Sequence, residues 1–151
     1  MSHNIKQKLQ GIQSSLKAPK GQTNKFGGYK YRSCEDILTA VKPLLAEWSC
    51  SISISDDIVE VGSRVYVKSI VHLYDSDSAD FITAQAFARE APTKKGMDDA
   101  QITGSASSYA RKYALNGLFA IDDTKDPDAT NNHEKIGSPS PSNAKNTEDL
   151  F

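Results

Sequence analysis

No aspartate or glutamate occurs between Met1 and Cys34, whereas Lys6, Lys8, Lys17, Lys20, Lys25, Lys30 and Arg32 all fall there. The net charge of −1 over 151 residues therefore conceals a basic arm. After Lys125 the balance reverses, with Asp126, Asp128, Glu134, Glu148 and Asp149 against Lys135 and Lys145. A charge run by itself fits a merely solvated face, so the arm needs a second signal before it implies a polyanionic partner. Cysteine is equally scarce. Cys34 and Cys50 have neither CxxC spacing nor a companion histidine cluster, which excludes the common zinc motifs and a disulfide framework. Buried thiols in a reducing compartment are the expectation. No apolar run approaches the roughly 18 residues of a membrane span, and the N-terminus lacks the apolar core of a secretory leader. A cytoplasmic protein without a membrane partner is expected. Apolar residues make up only 38% of the chain, low for one packed along its whole length. One domain over residues 1–125 and a tail over 126–151 are the expected division.

What is present is organised around the stretch from Met97 to Asp123, MDDAQITGSASSYARKYALNGLFAIDD. Its 3.6-residue period predicts one helix of about five turns, roughly Asp99 to Leu118. Ile102, Ala106, Tyr109, Ala110, Tyr113 and Leu118 form its apolar stripe, so Tyr109 and Tyr113 are expected in the core. Gly104 to Ser108 are all small, and a helical glycine costs about 1 kcal/mol relative to alanine, so a close contact at Gly104 is expected to offset that cost. The segment holds no nucleophile–base pair and no metal-ligand spacing. The adjacent cations Arg111 and Lys112, flanked by tyrosines and hydroxyls, point to an anion or a partner.

Upstream, Ile5, Leu9, Ile12 and Leu16 predict an amphipathic helix from Asn4 to Leu16 with lysines and glutamines outside; Ala18-Pro19-Lys20-Gly21 ends it. Gln22 to Arg32 (QTNKFGGYKYR) interleaves cations with aromatics. That suits a single strand of nucleic acid, with rings on bases and cations on phosphates, but equally a plain hairpin with its tyrosines packed on the core. Ser33 as N-cap and Asp36 at the capping-box position open a second helix. Its inward face is Ile37, Val41, Leu44, Leu45 and Trp48, with Trp48 a core anchor, and Pro43 should kink or shorten it.

Three strands follow: Cys50 to Asp56, Arg64 to Tyr74 and Asp80 to Glu90. Asp56-Asp57 and Val61-Gly62-Ser63 are placed between the first two. Val65, Val67, Val71 and Leu73 share one face of the second strand; Tyr66, Lys68, Ile70, His72 and Tyr74 share the other, and His72 is expected to be structural. The third strand offers Ile82, Ala84, Ala86 and Ala88 as a small face on which a helix can lie close. From Asp122 onward the composition predicts disorder. The fold class is α+β: a three-stranded antiparallel sheet packed against a long central helix, with N-terminal helices and a disordered C-terminal tail.

The series Tyr29-x-Tyr31-x-Ser33-x-x-Asp36-Ile37, then Pro43-Leu44, the strands, and Gly104-x-x-x-Ser108-Tyr109-Ala110-Arg111-Lys112-Tyr113-Ala114-Leu115 resembles the ERF (essential recombination function) family of phage single-strand annealing proteins. The resemblance covers about Ile5 to Asp128. The Ser-Tyr-Ala-Arg-Lys-Tyr-Ala-Leu run with the following Asp122-Asp123 is its most specific part. Other members commonly show Thr-Tyr-Ala-Arg-Arg-Tyr; Ser108 and Lys112 keep the hydroxyl and the charge. The resemblance implies ATP-independent binding and annealing of complementary single strands of DNA. It also implies a core like that of the eukaryotic annealing mediators and a homo-oligomeric ring, in a host bacterial cytoplasm if phage-encoded.

Annealing breaks no bond, so it calls for no catalytic residue, cofactor or metal; it needs a groove that neutralises phosphates and leaves bases free. The candidates are Lys25, Tyr29, Lys30, Tyr31 and Arg32 on the arm, Arg89 with Lys94 and Lys95 at the sheet end and its loop, and Arg111 and Lys112 on the helix. A metal-dependent nuclease using Asp98, Asp99, Asp122 and Asp123 is the enzymatic alternative. The two pairs sit at opposite ends of a helix of roughly 30 Å by its rise per residue, so Asp98-Asp99 fits better as charge at a helix N-terminus. A protein-interaction module is the other alternative. The tip Glu148-Asp149-Leu150-Phe151 resembles the acidic, Phe-ended tails of bacterial single-strand binding proteins. It is either an arbitrary end or a segment that docks on host replication and repair proteins or competes with DNA. Deletion of Asp149 to Phe151 that changes neither host-protein capture nor DNA affinity would rule out the docking role.

Overall fold

In chain order the elements are α1 (Ile5–Ser15), β1 (Gln22–Thr23), β2 (Lys30–Tyr31), α2 (Cys34–Glu47), β3 (Cys50–Val61), β4 (Arg64–Asp75), β5 (Phe81–Arg89) and α3 (Asp99–Phe119). The structure, a computed structural model, describes residues 2–122. Asp123, the 126–151 tail and its Glu148–Phe151 tip lie outside the described residues.

Each helix starts on a reciprocal cap. Asn4 with Gln7, Ser33 with Asp36 and Asp98 with Gln101 each exchange side-chain and backbone hydrogen bonds, satisfying two N–H groups that the first turn leaves without partners. The Ser33–Asp36 box is as expected from the sequence. Pro43 does not shorten α2, which runs on to Glu47. Pro43 and Thr39, whose carbonyl loses its N–H partner, both lie at exposed positions where water can reach them. α3 ends at Ala120 in the left-handed conformation (φ 51°, ψ 50°), and the Ala120 N–H bonds the Asn116 carbonyl.

β3, β4 and β5 form an antiparallel sheet in that order. β3 is longer than the sequence suggested: it runs on past Asp56 through Asp57 and ends at Val61. Val61 pairs with Arg64, leaving a two-residue turn at Gly62-Ser63. Gly62 sits at φ 60°, the positive value that tight hairpin turns require. Alternation along β4 is as expected, with Val67, Ser69, Val71 and Leu73 buried and Tyr66, Lys68, Ile70, His72 and Tyr74 on the other face. The three helices cover the buried face, where Ile12, Ile37, Val41, Val71, Leu73, Leu115 and Phe119 are at most 1% exposed.

α3 packs on β4 and β5, and Ala88 meets Ala106 and Ala110 there, so the small face of β5 does receive the helix. The approach does not involve Gly104. A Cβ built at Gly104 meets nothing within 4 Å. The ridge that faces the sheet steps by four through Ile102, Ala106, Ala110, Ala114 and Leu118, with Leu115 and Phe119 beside it. Gly104 points the other way. Tyr109 and Tyr113 sit on the flank of that ridge and are 49% and 52% exposed, not in the core.

Lys8 and Arg32 of the basic arm are also withdrawn from the surface. Lys8 is 4% exposed, its Nζ 2.6 Å from Asp75 Oδ1 and 2.7 Å from Asp77 Oδ2, tying α1 to the turn after β4. Hydrogen bonds from that ammonium to Asp75 and then to Asp77 raise its pKa well above the usual lysine value. Trp48 takes the anchoring place the sequence suggested: its ring lies across Gly11 of α1, where an added Cβ would come within 2.2 Å, and edge-on to His3.

Candidate nucleic-acid interface

Lys112 lies half-buried on α3, beside two exposed tyrosines. Its Nζ lies 4.8 Å from the centre of the Tyr109 ring and 5.6 Å from that of Tyr113. The two rings, one turn apart, stack at 6.3 Å with 22° between their planes. A cation held over two half-exposed aromatic faces is a ready contact for a base and its phosphate together. The Lys112 ammonium is pushed below the usual lysine value, first by burial and then by the positive charges of Arg32 and Lys20. Cations crowded in this way gain from a polyanion, which relieves their mutual repulsion.

The tyrosines also line a cleft of about 360 Å³ between α3, the end of β5 and the loop that joins them. Phe87, Met97 and Ile102 give it apolar walls; Arg89 and Lys94 bring positive charge to it. Arg89, Lys94 and Lys95 are exposed. An apolar, ring-lined recess with cations at its margin suits a base with its sugar-phosphate outside.

The arm forms a short antiparallel hairpin, Gln22 opposite Tyr31 and Thr23 opposite Lys30. Lys25, Tyr29 and Lys30 are exposed and Tyr31 half-buried. The Tyr29 hydroxyl accepts a hydrogen bond from Asn24 Nδ2 at 2.8 Å, and its ring meets Tyr31 edge-on at 6.3 Å. Of the two readings that the sequence left open, the one with both tyrosines packed on the core does not hold for Tyr29, which is 53% exposed. Arg32 differs from its neighbours. It is 3% exposed, so it is a buried cation at the foot of the hairpin and not a surface one.

Arg111 is also engaged within the fold. Its Nε lies 3.2 Å from both carboxylate oxygens of Asp56, and its Nη2 3.0 Å from Oδ2. Ser69 and Ser107 donate to the same carboxylate. Burial raises the Asp56 pKa, but hydrogen bonds from Arg111, Ser107 and Ser69 outweigh it and hold the carboxyl below its usual range. β3, β4 and α3 thus converge on one carboxylate. The sequence did carry a trace of this: Asp56 falls in phase with Ile52 and Ile54, and a charge on a helix-facing position demands a partner. Lys20 and Phe26 were likewise missing from the candidates; Phe26 stands beside Gly27-Gly28, a turn signal.

The geometry thus sets out a surface of exposed rings and cations on α3 and beside the cleft. The chain matches the model of the ERF superfamily over residues 5–150 and belongs to that family. It is 55% identical over 135 residues to the essential recombination function protein of Salmonella phage P22, an alignment that takes in 89% of this chain and 63% of the relative. The chain thus spans less than two thirds of that relative's length. No solved structure matches.

Proposed function

We propose that this chain binds single-stranded DNA and promotes the pairing of complementary strands in phage DNA recombination, without ATP, metal or a catalytic step, as a homo-oligomer in the host cytoplasm. The observation that carries the reading is Lys112 held across the exposed rings of Tyr109 and Tyr113, beside a cleft edged by Arg89 and Lys94. Rings can hold bases by their faces in any sequence, while the cations neutralise phosphates; the pairing edges stay free. One subunit offers few phosphate contacts, so an assembly that repeats the surface multiplies them and lays a strand out for pairing. Membership of a family whose member in phage P22 is named for recombination supports the same setting.

A nuclease reading has less support. Asp99 opens α3, and Asp122 follows in sequence only after that helix, which has 21 residues and so is roughly 30 Å long. No group of three or more His, Cys, Asp or Glu side chains placed to hold a metal ion occurs among the described residues.

Two complementary labelled oligonucleotides, mixed with the protein in EDTA and without nucleotide, test the proposal. The wild type is expected to accelerate pairing. Lys112→Ala is expected to anneal more slowly and to lower the slope of log affinity against log salt by about 0.7, the value for one phosphate contact on a single strand. No acceleration by the folded wild type would overturn the annealing reading and favour an interaction module.

A further inference from the structure

Phe26 is fully exposed, at 103% of its reference surface. Exposed phenylalanines are ordinary on loose loops, but this one is held by a closely bonded turn. The Asn24 side-chain oxygen accepts from the N–H groups of Phe26 (2.8 Å) and Gly27 (3.1 Å). The Asn24 carbonyl accepts from Gly28 N–H, and the Asn24 N–H donates to the Tyr29 carbonyl, both at 2.8 Å. Asn24 Nδ2 reaches the Tyr29 hydroxyl, and Gly28 takes the positive φ of 64° that closes the turn. One asparagine thus fixes the tip on which the ring stands. Such a preorganised turn loses little backbone freedom when a flat partner covers the ring it carries.

The surroundings choose the partner. Lys25 precedes the ring, Lys30 follows on β2, and the whole segment from Gln22 to Arg32 carries no carboxylate. At the foot of the hairpin, Arg32 and Lys20 lie near enough to Lys112 of α3 for their charges to act on it. The foot of the hairpin therefore lies within electrostatic reach of Lys112, the cation held over Tyr109 and Tyr113. We infer that Phe26 is a stacking wedge for unpaired bases: its ring enters between two neighbouring bases of the bound strand, while Lys25 and Lys30 meet the flanking phosphates. Unstacking costs least in a single strand, so the wedge favours unpaired DNA over duplex. The inference rests on the single-strand reading above and adds to it a contact on a second element.

The sequence contains a single tryptophan, Trp48, so Phe26→Trp places a second, subtractable fluorophore at the tip. Titration with an oligo(dT) strand is expected to quench the added emission. Phe26→Ala is expected to bind oligo(dT) about tenfold more weakly, while Phe26→Trp keeps wild-type affinity. On an abasic strand of equal length, which has the phosphates but no bases, wild type and Phe26→Ala should bind alike. Equal oligo(dT) affinity for wild type and Phe26→Ala would overturn the wedge and leave the annealing reading standing. So would an equal loss on both strands. Emission at the tip that changes with protein concentration and not with DNA would assign the ring to a second copy of the chain. Absence of any oligo(dT) binding by wild type would instead overturn the single-strand reading itself.

Discussion

Replacing Tyr109 and Tyr113 together by alanine is expected to weaken binding of a mixed-sequence single strand about 100-fold, measured by fluorescence anisotropy, and to slow annealing in parallel. Base–aromatic stacking contributes about 1–3 kcal/mol per base, so two rings supply roughly 2–6 kcal/mol when both are occupied, and 100-fold lies near the lower end of that range. The fold should tolerate the change. Both rings are half exposed, the sheet-facing ridge is built from other residues, and the loss of the Lys112 contacts removes only about 0.5–1 kcal/mol each at such a surface. Phenylalanine at both positions should restore affinity, because stacking needs the ring and not the hydroxyl. An alanine pair with wild-type affinity would remove the tyrosines from the DNA surface.

Asp56→Ala is expected to act through folding. The substitution strips Ser69, Ser107 and Arg111 of a shared acceptor, and Ser69 is 0% exposed, so water cannot replace the lost partner. Hydrogen bonds to charged groups contribute about 1.5–3 kcal/mol, and a buried donor left unpaired adds to the loss, so a decrease of about 2–3 kcal/mol in chemical denaturation is expected. The carboxylate is 23% exposed and Arg111 39%, which keeps the figure well below that of a dry ion pair. The pH dependence has a definite sign. The folded pKa of Asp56 is lowered, so its contribution is complete above the ordinary carboxyl value near 4 and is lost as pH falls from there through the folded value. Asp56→Asn should therefore be less stable than wild type at neutral pH and converge on it in acid. A difference that stays constant down to low pH would separate the carboxylate from the stability of the sheet–helix junction.

Much of the fold was legible because period decides it. Helix α2 with its Ser33 cap, the two faces of β4 and the alanine face of β5 all follow from spacing. The misplacements share a cause: apolar or charged character was read without the geometry of the neighbour. Tyr109 and Tyr113 look like core by hydropathy, yet a sheet contacts a helix along a ridge stepping by four, and the tyrosines lie off that ridge. Asp56 looks like the last residue of its strand and Asp57 like a turn residue, yet β3 runs on past both, with Asp56 held by Arg111 from a helix 55 positions later. Lys8 looks like an outer lysine because its partners, Asp75 and Asp77, are distant in sequence. Among the candidate site residues, Lys25, Tyr29, Lys30, Arg89, Lys94, Lys95 and Lys112 are at least partly on the surface, whereas Arg32 is buried and Arg111 is bound to Asp56.

The junction at Asp56 also bears on how the protein can change over descent. Positions 56 and 111 amount to one heritable character written in two places. A forked guanidinium meeting both oxygens of a carboxylate is matched poorly by lysine, so drift at either position should be tolerated only when the other moves with it. Position 112, one residue along the same helix, contributes a charge over two rings, a role that lysine or arginine is expected to fill. Two neighbouring cations that look interchangeable in the sequence are thus expected to be constrained differently, Arg111 by its fork on Asp56 and Lys112 by its charge over the Tyr109 and Tyr113 rings.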